Sequence, residues 1–224
     1  MNYAMVRRLV GKDWYFNRAA IAAYLAVGIV SLSMLALGGK TAFFAGSVLL
    51  ITALIAVGIH LVMMTVVYER TNQTLAFVMT LPIDAREYTT AKVVANLAIF
   101  GLAWTTLFVG TVAVIAGRGA IPDGLIPYAA TILGEIFAAY CLILAVAIVS
   151  ESTTWTIGAI VLGNLTVQAV MYSVGNVSAV AADLKTDVVV WRGPILAVLG
   201  VELAVAVLAI ASTFYLQSRK TDFV

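Results

Sequence analysis

AFFAGSVLLITALIAVGIHLVMMTVVY, residues 42–68, contains no aspartate, glutamate, lysine or arginine. A helix needs about 20 apolar residues to cross the hydrocarbon layer of a bilayer, and this stretch is long enough. Five further stretches have a similar length and composition: residues 19–38, 92–116, 126–149, 155–174 and 194–216. Strands of a membrane barrel have about 10 residues and alternate polar with apolar positions, so these runs predict helices. The predicted fold class is all-α and polytopic, with six transmembrane helices.

The overall composition agrees with a membrane protein and excludes several other classes. Hydrophobic residues make up 63% of the chain and charged residues 11%, against about 45–50% and 25% in an ordinary soluble domain. The net charge of +2 is too small to indicate a nucleic-acid partner. One histidine and one cysteine do not supply a metal site or a nucleophilic catalytic set. We therefore expect neither an enzyme nor a metal protein.

The distribution of lysine and arginine predicts the orientation of the chain. One side of the six spans collects nine basic residues: Arg7, Arg8, Lys12, Arg18, Arg70, Arg86, Lys92, Arg219 and Lys220. The other side collects four: Lys40, Arg118, Lys185 and Arg192. Basic residues in short loops favour the cytoplasmic side of a membrane. The pattern predicts cytoplasmic termini and a multi-pass protein of the cell membrane, and we expect a prokaryotic origin.

Residues 1–18 precede the first span and have an amphipathic pattern of their own. Tyr3, Val6, Val10 and Trp14 recur at helical spacing, with basic residues between them. Such a helix can lie in the headgroup layer, its cations near anionic lipid and its aromatic rings at the interface. We predict an interfacial helix over 1–18 and a six-helix transmembrane domain over 19–224. A solvated N-terminal tail is the alternative.

The connection between the second and third spans, ERTNQTLAFVMTLPIDAREY (69–88), is longer than a reversal of direction requires. Helix–helix connections commonly use about 2–8 residues. Asn72 can cap a short helix that Pro82 would end. Asp84 and Glu87 have the spacing of a capping box, which would start the third helix. The pattern predicts a cytosolic segment, 69–90, with an amphipathic helix on which a partner docks. A structural elbow without a partner is the alternative.

This segment resembles the permease subunits of the ABC-2 family of ABC exporters. The matching positions are Glu69-Arg70, Thr74-Leu75-Ala76-Phe77, Leu81-Pro82-Ile83 and Arg86-Glu87-Tyr88, followed by Lys92. The stretch 9–18, with its Lys12-Asp13 pair, also looks like the amphipathic entry helix of that family. The number of spans and the predicted side of both termini are similar as well.

The resemblance implies a membrane-embedded permease that moves substrate by alternating access, driven by a separate cytosolic ATPase subunit. It implies that the segment 69–90 is a coupling segment. It also implies that the ATPase contact lies at or near Glu69, Arg70, Leu75, Leu81, Pro82, Arg86 and Glu87. It also implies a second permease subunit, identical or homologous, and a broken or short helical element in the outer loop 175–193, here over 179–184.

ATP and magnesium would be bound by the partner, because this chain has no phosphate-binding loop of its own. The string Gly39-Lys40-Thr41 lacks the glycine that such a loop needs five residues earlier, where Met34 stands. We therefore expect no cofactor in this chain.

Polar residues within the spans are candidates for a substrate path. Glu135 and Glu202 enter from the outer side to a similar depth, and Asn164, Gln168 and Tyr172 recur every four residues along the fifth span. Ionisable residues in a span either serve a pathway or hold helices together. The candidate path residues are Glu135, Asn164, Gln168 and Glu202. The alternative for Glu135 and Glu202 is a structural role in helix packing. The alternative for the polar stripe of the fifth span is that it faces another helix or a second protomer.

A second class of function uses the same residues differently. A stand-alone secondary transporter or channel would use Glu135, Glu202 or His60 to couple to an ion gradient. Transporters of that kind commonly contain inverted repeats, and the sequence has no convincing internal repeat. The substrate stays open, with apolar or amphipathic cargo favoured by the composition.

Overall fold

The computed structural model describes residues 3–37, 39–71, 85–117 and 121–219, and gives the backbone alone for residues 85 and 86. These ranges contain seven helices, numbered here in chain order: α1 Tyr3–Leu37, α2 Lys40–Thr71, α3 Ala85–Gly117, α4 Leu125–Ser150, α5 Thr153–Gly175, α6 Ser178–Asp183 and α7 Gly193–Gln217. All of them except the short α6 are long and apolar enough to cross a membrane. The prediction of an all-α polytopic fold with six spans is confirmed.

The N-terminal segment and the first span form one continuous helix. The structure has no break near residue 18, because residues 12–27 include neither glycine nor proline to interrupt α1. The predicted stripe also does not form one lipid-facing surface. Val6 and Leu9 are buried against Tyr88 and Ala91 of α3, whereas Tyr3 is 74% exposed. The first turns of α1 are therefore part of the bundle's packing.

Helix α4 lies at the centre of the bundle, where it packs against α2, α3, α5 and α7. Helix α1 lies on the other side of α2 and α3. The core centres on Phe100 of α3, whose ring stacks on that of Tyr140 with 3.8 Å between centroids. Gly58 of α2 leaves room for this pair, since a Cβ atom there would lie 2.9 Å from the Tyr140 ring. Three helices thus meet at one aromatic contact.

Two ends of the bundle are distinguished below. The basic end is where α2 ends and α3 begins, and the sequence predicts that it is cytoplasmic. The opposite end carries α6, within the outer loop in which the sequence predicts a short element. There Val180 of α6 packs with Val174 and Ile195, and the amide of Gly124 donates to the carbonyl of Thr186. These contacts join the α5–α7 connection to the start of α4.

An ion pair at the opposite end joins α6 to the start of α7. The Arg192 guanidinium donates to both carboxylate oxygens of Asp183, at 2.6 and 2.9 Å. These hydrogen bonds hold the pKa of the Asp183 carboxyl below its usual range. Asp183 is the last residue of α6, and Arg192 immediately precedes α7. The pair is accessible to water and therefore contributes little to stability.

Candidate functional site

A buried cluster of charges joins three helices at the basic end. We call Lys12, Asp13, Glu69, Tyr88 and Lys92 the ion cluster. The Lys92 ammonium lies 2.8 Å from the carboxylate of Asp13 and 2.8 Å from that of Glu69. Lys12 contacts both carboxylates from α1, and the Tyr88 hydroxyl donates to Glu69. Opposite charges are therefore matched within one site shared by α1, α2 and α3.

The charges of the ion cluster are buried, which costs free energy unless they are paired. The side chain of Lys92 is 1% exposed and that of Asp13 is 4% exposed. Charges this deep are tolerated only when each has close partners and hydrogen bonds. Glu69 and Lys92 also lie on either side of the segment 72–84. The ion cluster thus links the end of α2 and the start of α3 to each other and to α1.

Arg70, near the end of α2, makes a second link, toward α4. Its guanidinium donates to the carbonyls of Ala147 and Ile148, at 3.0 and 3.2 Å, and lies 3.9 Å from the carboxylate of Glu151. These carbonyls belong to the last turn of α4, where a cation interacts favourably with the helix dipole. Gln217 of α7 donates to the Ile148 carbonyl as well. The C-terminus of α4 is therefore held from two sides.

A polar network continues from the ion cluster into the bundle. The Asn96 amide donates to the Thr65 hydroxyl and to the Lys92 carbonyl, and the Tyr140 hydroxyl donates to Asn96. Thr65 lies within a π-helical turn of α2, Met63–Val67. Such turns occur frequently at functional sites. The network brings α2, α3 and α4 together between the ion cluster and the Phe100–Tyr140 stack.

A cavity of about 570 Å³ opens beyond that stack, toward the opposite end. Most of its lining is apolar and comes from α1 to α5. Its polar members are Ser47, Thr52, Thr111, Tyr128, Asn164 and Gln168. The described residues that line it include no aspartate, glutamate, lysine or arginine. Its volume is typical of a site for a small molecule.

The four candidate path residues fall into two groups. Asn164 and Gln168 of α5 line the cavity. This position would give both side chains access to a substrate in the cavity. Tyr172, the next residue of the polar stripe, is 74% exposed. Glu135 and Glu202 do not line this cavity. They lie near each other at the contact of α4 and α7, where Gly134 approaches the Glu202 carboxylate. The structure does not bring the four residues to one site.

The predicted ATPase-contact residues are described only in part. Leu75, Leu81 and Pro82 lie outside the described residues, as does the side chain of Arg86. The charged ends of Glu69 and Arg70 are directed into the bundle, and Glu87 is buried. Glu69 and Arg70 thereby attach the end of α2 to its neighbours, and Glu87 lies in the first turn of α3. Their direct contact with a partner stays a prediction.

Sequence reasoning did not anticipate the ion cluster. In the sequence, Lys12 and Lys92 contribute to the predicted cytoplasmic charge, and with Asp13 they are positions of the family resemblance. Their mutual contact follows from the packing of α1 on α3. The available signal was the presence of opposite charges near the basic ends of neighbouring spans, where an isolated charge would be costly. Asn96 and Thr65 gave a weaker signal, as two polar residues within apolar spans.

The fold and these sites define a polytopic helical membrane protein with a buried ion cluster at one end and a neutral cavity near the other. Comparison with protein-family models, with curated proteins and with solved structures gives no match. Any more specific function is therefore inferred from the chain itself.

Proposed function

We propose that the chain is the transmembrane permease subunit of an ATP-driven exporter of the ABC-2 type. A separate cytosolic ATPase would bind ATP and magnesium, and a second permease subunit would complete the membrane part. Both termini and the segment 72–84 would face the cytosol of a prokaryotic cell. The resemblance of residues 69–92 to that family motivates the proposal.

The observation that carries the proposal is the attachment of both ends of the segment 72–84. Glu69 before the segment and Lys92 after it form one ion pair, 2.8 Å long, to which Asp13 of α1 is added. Arg70 attaches the same end of α2 to α4. A displacement applied to the segment would reach four helices at once. A flexible connection would absorb that displacement instead of transmitting it.

Helix α2 offers a direct route from the segment to the cavity. It runs from Lys40 to Thr71, so that Ser47 and Thr52 line the cavity and Glu69 enters the ion cluster. The π-helical turn Met63–Val67 lies between these two regions. A shift or rotation of α2 would change the cavity walls. This is the behaviour required of a bundle that opens alternately to the two sides of the membrane.

The cavity is the proposed location for substrate within the subunit. Asn164 and Gln168 offer amide donors and acceptors in a mostly apolar wall, with no charged group among the described lining residues. An uncharged molecule with an apolar body and a hydrogen-bonding group suits this lining best. Glu135 and Glu202 are not assigned to this substrate path.

The position of the segment is tested by single-cysteine labelling. Cys141 is 1% exposed, so a cysteine introduced at Thr74 would be the accessible thiol. In sealed cells, Thr74→Cys should resist a membrane-impermeant maleimide and react after the membrane is opened. Asp187→Cys, in the exposed outer loop, should react in both conditions. Labelling of Thr74→Cys in sealed cells would overturn the proposal.

We expect a P-loop ATPase to be encoded in a neighbouring reading frame, and co-expression of the two proteins tests the partner. The two proteins should purify together, and Leu75→Asp should separate them by placing a charge in the predicted apolar face. Val188→Asp is the matched control, because Val188 is 62% exposed in the outer loop. Equal co-purification of wild type and Leu75→Asp would contradict the assignment of the coupling segment.

A further inference from the structure

Glu202 is a buried carboxyl that the proposed transport mechanism does not use. It lies near the middle of α7 and is 4% exposed. Gly134 of α4 provides its space, since a Cβ atom at Gly134 would lie 2.4 Å from one carboxylate oxygen. Neither oxygen has a hydrogen-bond partner among the described residues. The carboxyl is therefore enclosed by α4 and lacks the donors that would stabilise a negative charge.

No positive charge was found in its surroundings among the residues that the structure describes. Small apolar residues, among them Ala138, Cys141 and Ala206, form the neighbouring contact of α4 with α7. The sequences of α4, α5 and α7 contain no lysine, arginine or histidine. On α3, which also packs against α7, Lys92 is already paired with Asp13 and Glu69.

The charged group that does face Glu202 has the same sign. Glu135 of α4 interacts electrostatically with it, and the Glu135 side chain also lies beside Thr166 of α5. Two carboxylates without a counter-ion would repel each other in an apolar interior. The remaining means of neutralising Glu202 are a proton or a metal cation. The described residues contain no group of three ligands able to hold a metal.

We propose that Glu202, with Glu135 beside it, forms an intramembrane proton-binding site between α4 and α7. With the helices packed, Glu202 holds a proton on its carboxyl. If α4 and α7 separate and admit water, the O–H bond breaks and the proton passes to water, leaving a hydrated carboxylate. Opening of this contact is thereby linked to proton release. The inference does not depend on an ATPase partner.

Infrared spectroscopy of the purified full chain in lipid tests the site, because a protonated carboxyl and a carboxylate absorb at different frequencies. At neutral pH, Glu202→Gln should remove a carboxylic-acid band. It should leave the fold intact, since glutamine resembles the neutral acid in shape. Asp183→Asn is the control and should remove carboxylate absorption only, because Asp183 is ionised by its contact with Arg192. A wild-type spectrum with no acid band lost in Glu202→Gln would overturn the proposal.

A second variant tests the role of the neighbouring carboxyl. Glu135→Gln removes the like charge, so the acid band of Glu202 should disappear at a lower pH than in the wild type. An unchanged pH of disappearance would show that Glu135 is not part of the site. If Glu135→Gln removed the acid band at neutral pH and Glu202→Gln left it in place, the proton would belong to Glu135. The assignment to Glu202 would then be wrong.

Discussion

Replacing Lys92 by methionine tests whether the ion cluster holds the basic end together. The Lys92 ammonium contacts Asp13 and Glu69, each at 2.8 Å, from a side chain that is 1% exposed. Methionine keeps most of the apolar stem, so the change removes mainly the charge. Two buried carboxylates would then share Lys12, which is one-third exposed. Removal of one partner from a buried ion pair costs about 3–5 kcal/mol, and we expect a loss of that size.

The measurement is the free energy of unfolding in lipid or detergent, compared across a matched set of variants. Lys185→Met removes an exposed lysine from the connection between α5 and α7 and should change the free energy by less than about 0.5 kcal/mol. The double variant Asp13→Asn, Lys92→Met should lose less than the sum of its two single variants, because it leaves fewer buried charges unpaired. If Lys92→Met and Lys185→Met were equally stable, the ion cluster would not form and our account of the segment's attachment would fail.

Three further changes have defined outcomes. Arg70→Met should lower the free energy of unfolding by about 1.5–3 kcal/mol through two lost charged hydrogen bonds, with Arg70→Lys in between; equal stability of all three proteins in denaturant unfolding would contradict the contact with α4. Gly58→Val should cost about 1–3 kcal/mol by displacing the Tyr140 ring, whereas Gly101→Ala, with open space around it, should be neutral or stabilising; the thermal midpoints of the two variants should therefore differ. Because Arg192 lowers the pKa of the Asp183 carboxyl, the small contribution of this pair is present above the carboxyl's ordinary pKa and is lost as the pH falls through the lowered value. Asp183→Asn should remove that difference between neutral and acidic pH in thermal unfolding, and an unchanged difference would show that the pair does not form.

The spans were predictable because membrane insertion depends on local composition. A run such as residues 42–68 needs no partner to be recognised, and the observed α2 contains it. The end of the predicted N-terminal helix was not predictable from amphipathicity alone. Val6 and Leu9 pack on Tyr88 and Ala91, and that contact depends on which helices become neighbours.

The sites were predictable only to the extent that one helix determines them. Asn164 and Gln168 lie four residues apart on α5, so their common face followed from helical geometry, and both line the cavity. Glu135 and Glu202 have similar depths in their predicted spans, and the structure places them close enough to interact electrostatically. Their proximity depends on how α7 packs against α4, which neither helix determines by itself. The ion cluster was missed for the same reason, since Asp13 and Lys92 come from α1 and α3.

The central claim is that the segment 72–84 transmits force from a separate ATPase to this bundle. The most direct test uses the P-loop ATPase that we expect in a neighbouring reading frame. Its ATP hydrolysis rate is measured in vesicles containing this chain, its Leu75→Asp variant or its Val188→Asp variant. We expect wild type and Val188→Asp to change the rate equally, and Leu75→Asp to leave it at the value of the ATPase alone. A rate that does not respond to wild type, or that responds equally to all three proteins, would contradict the claim.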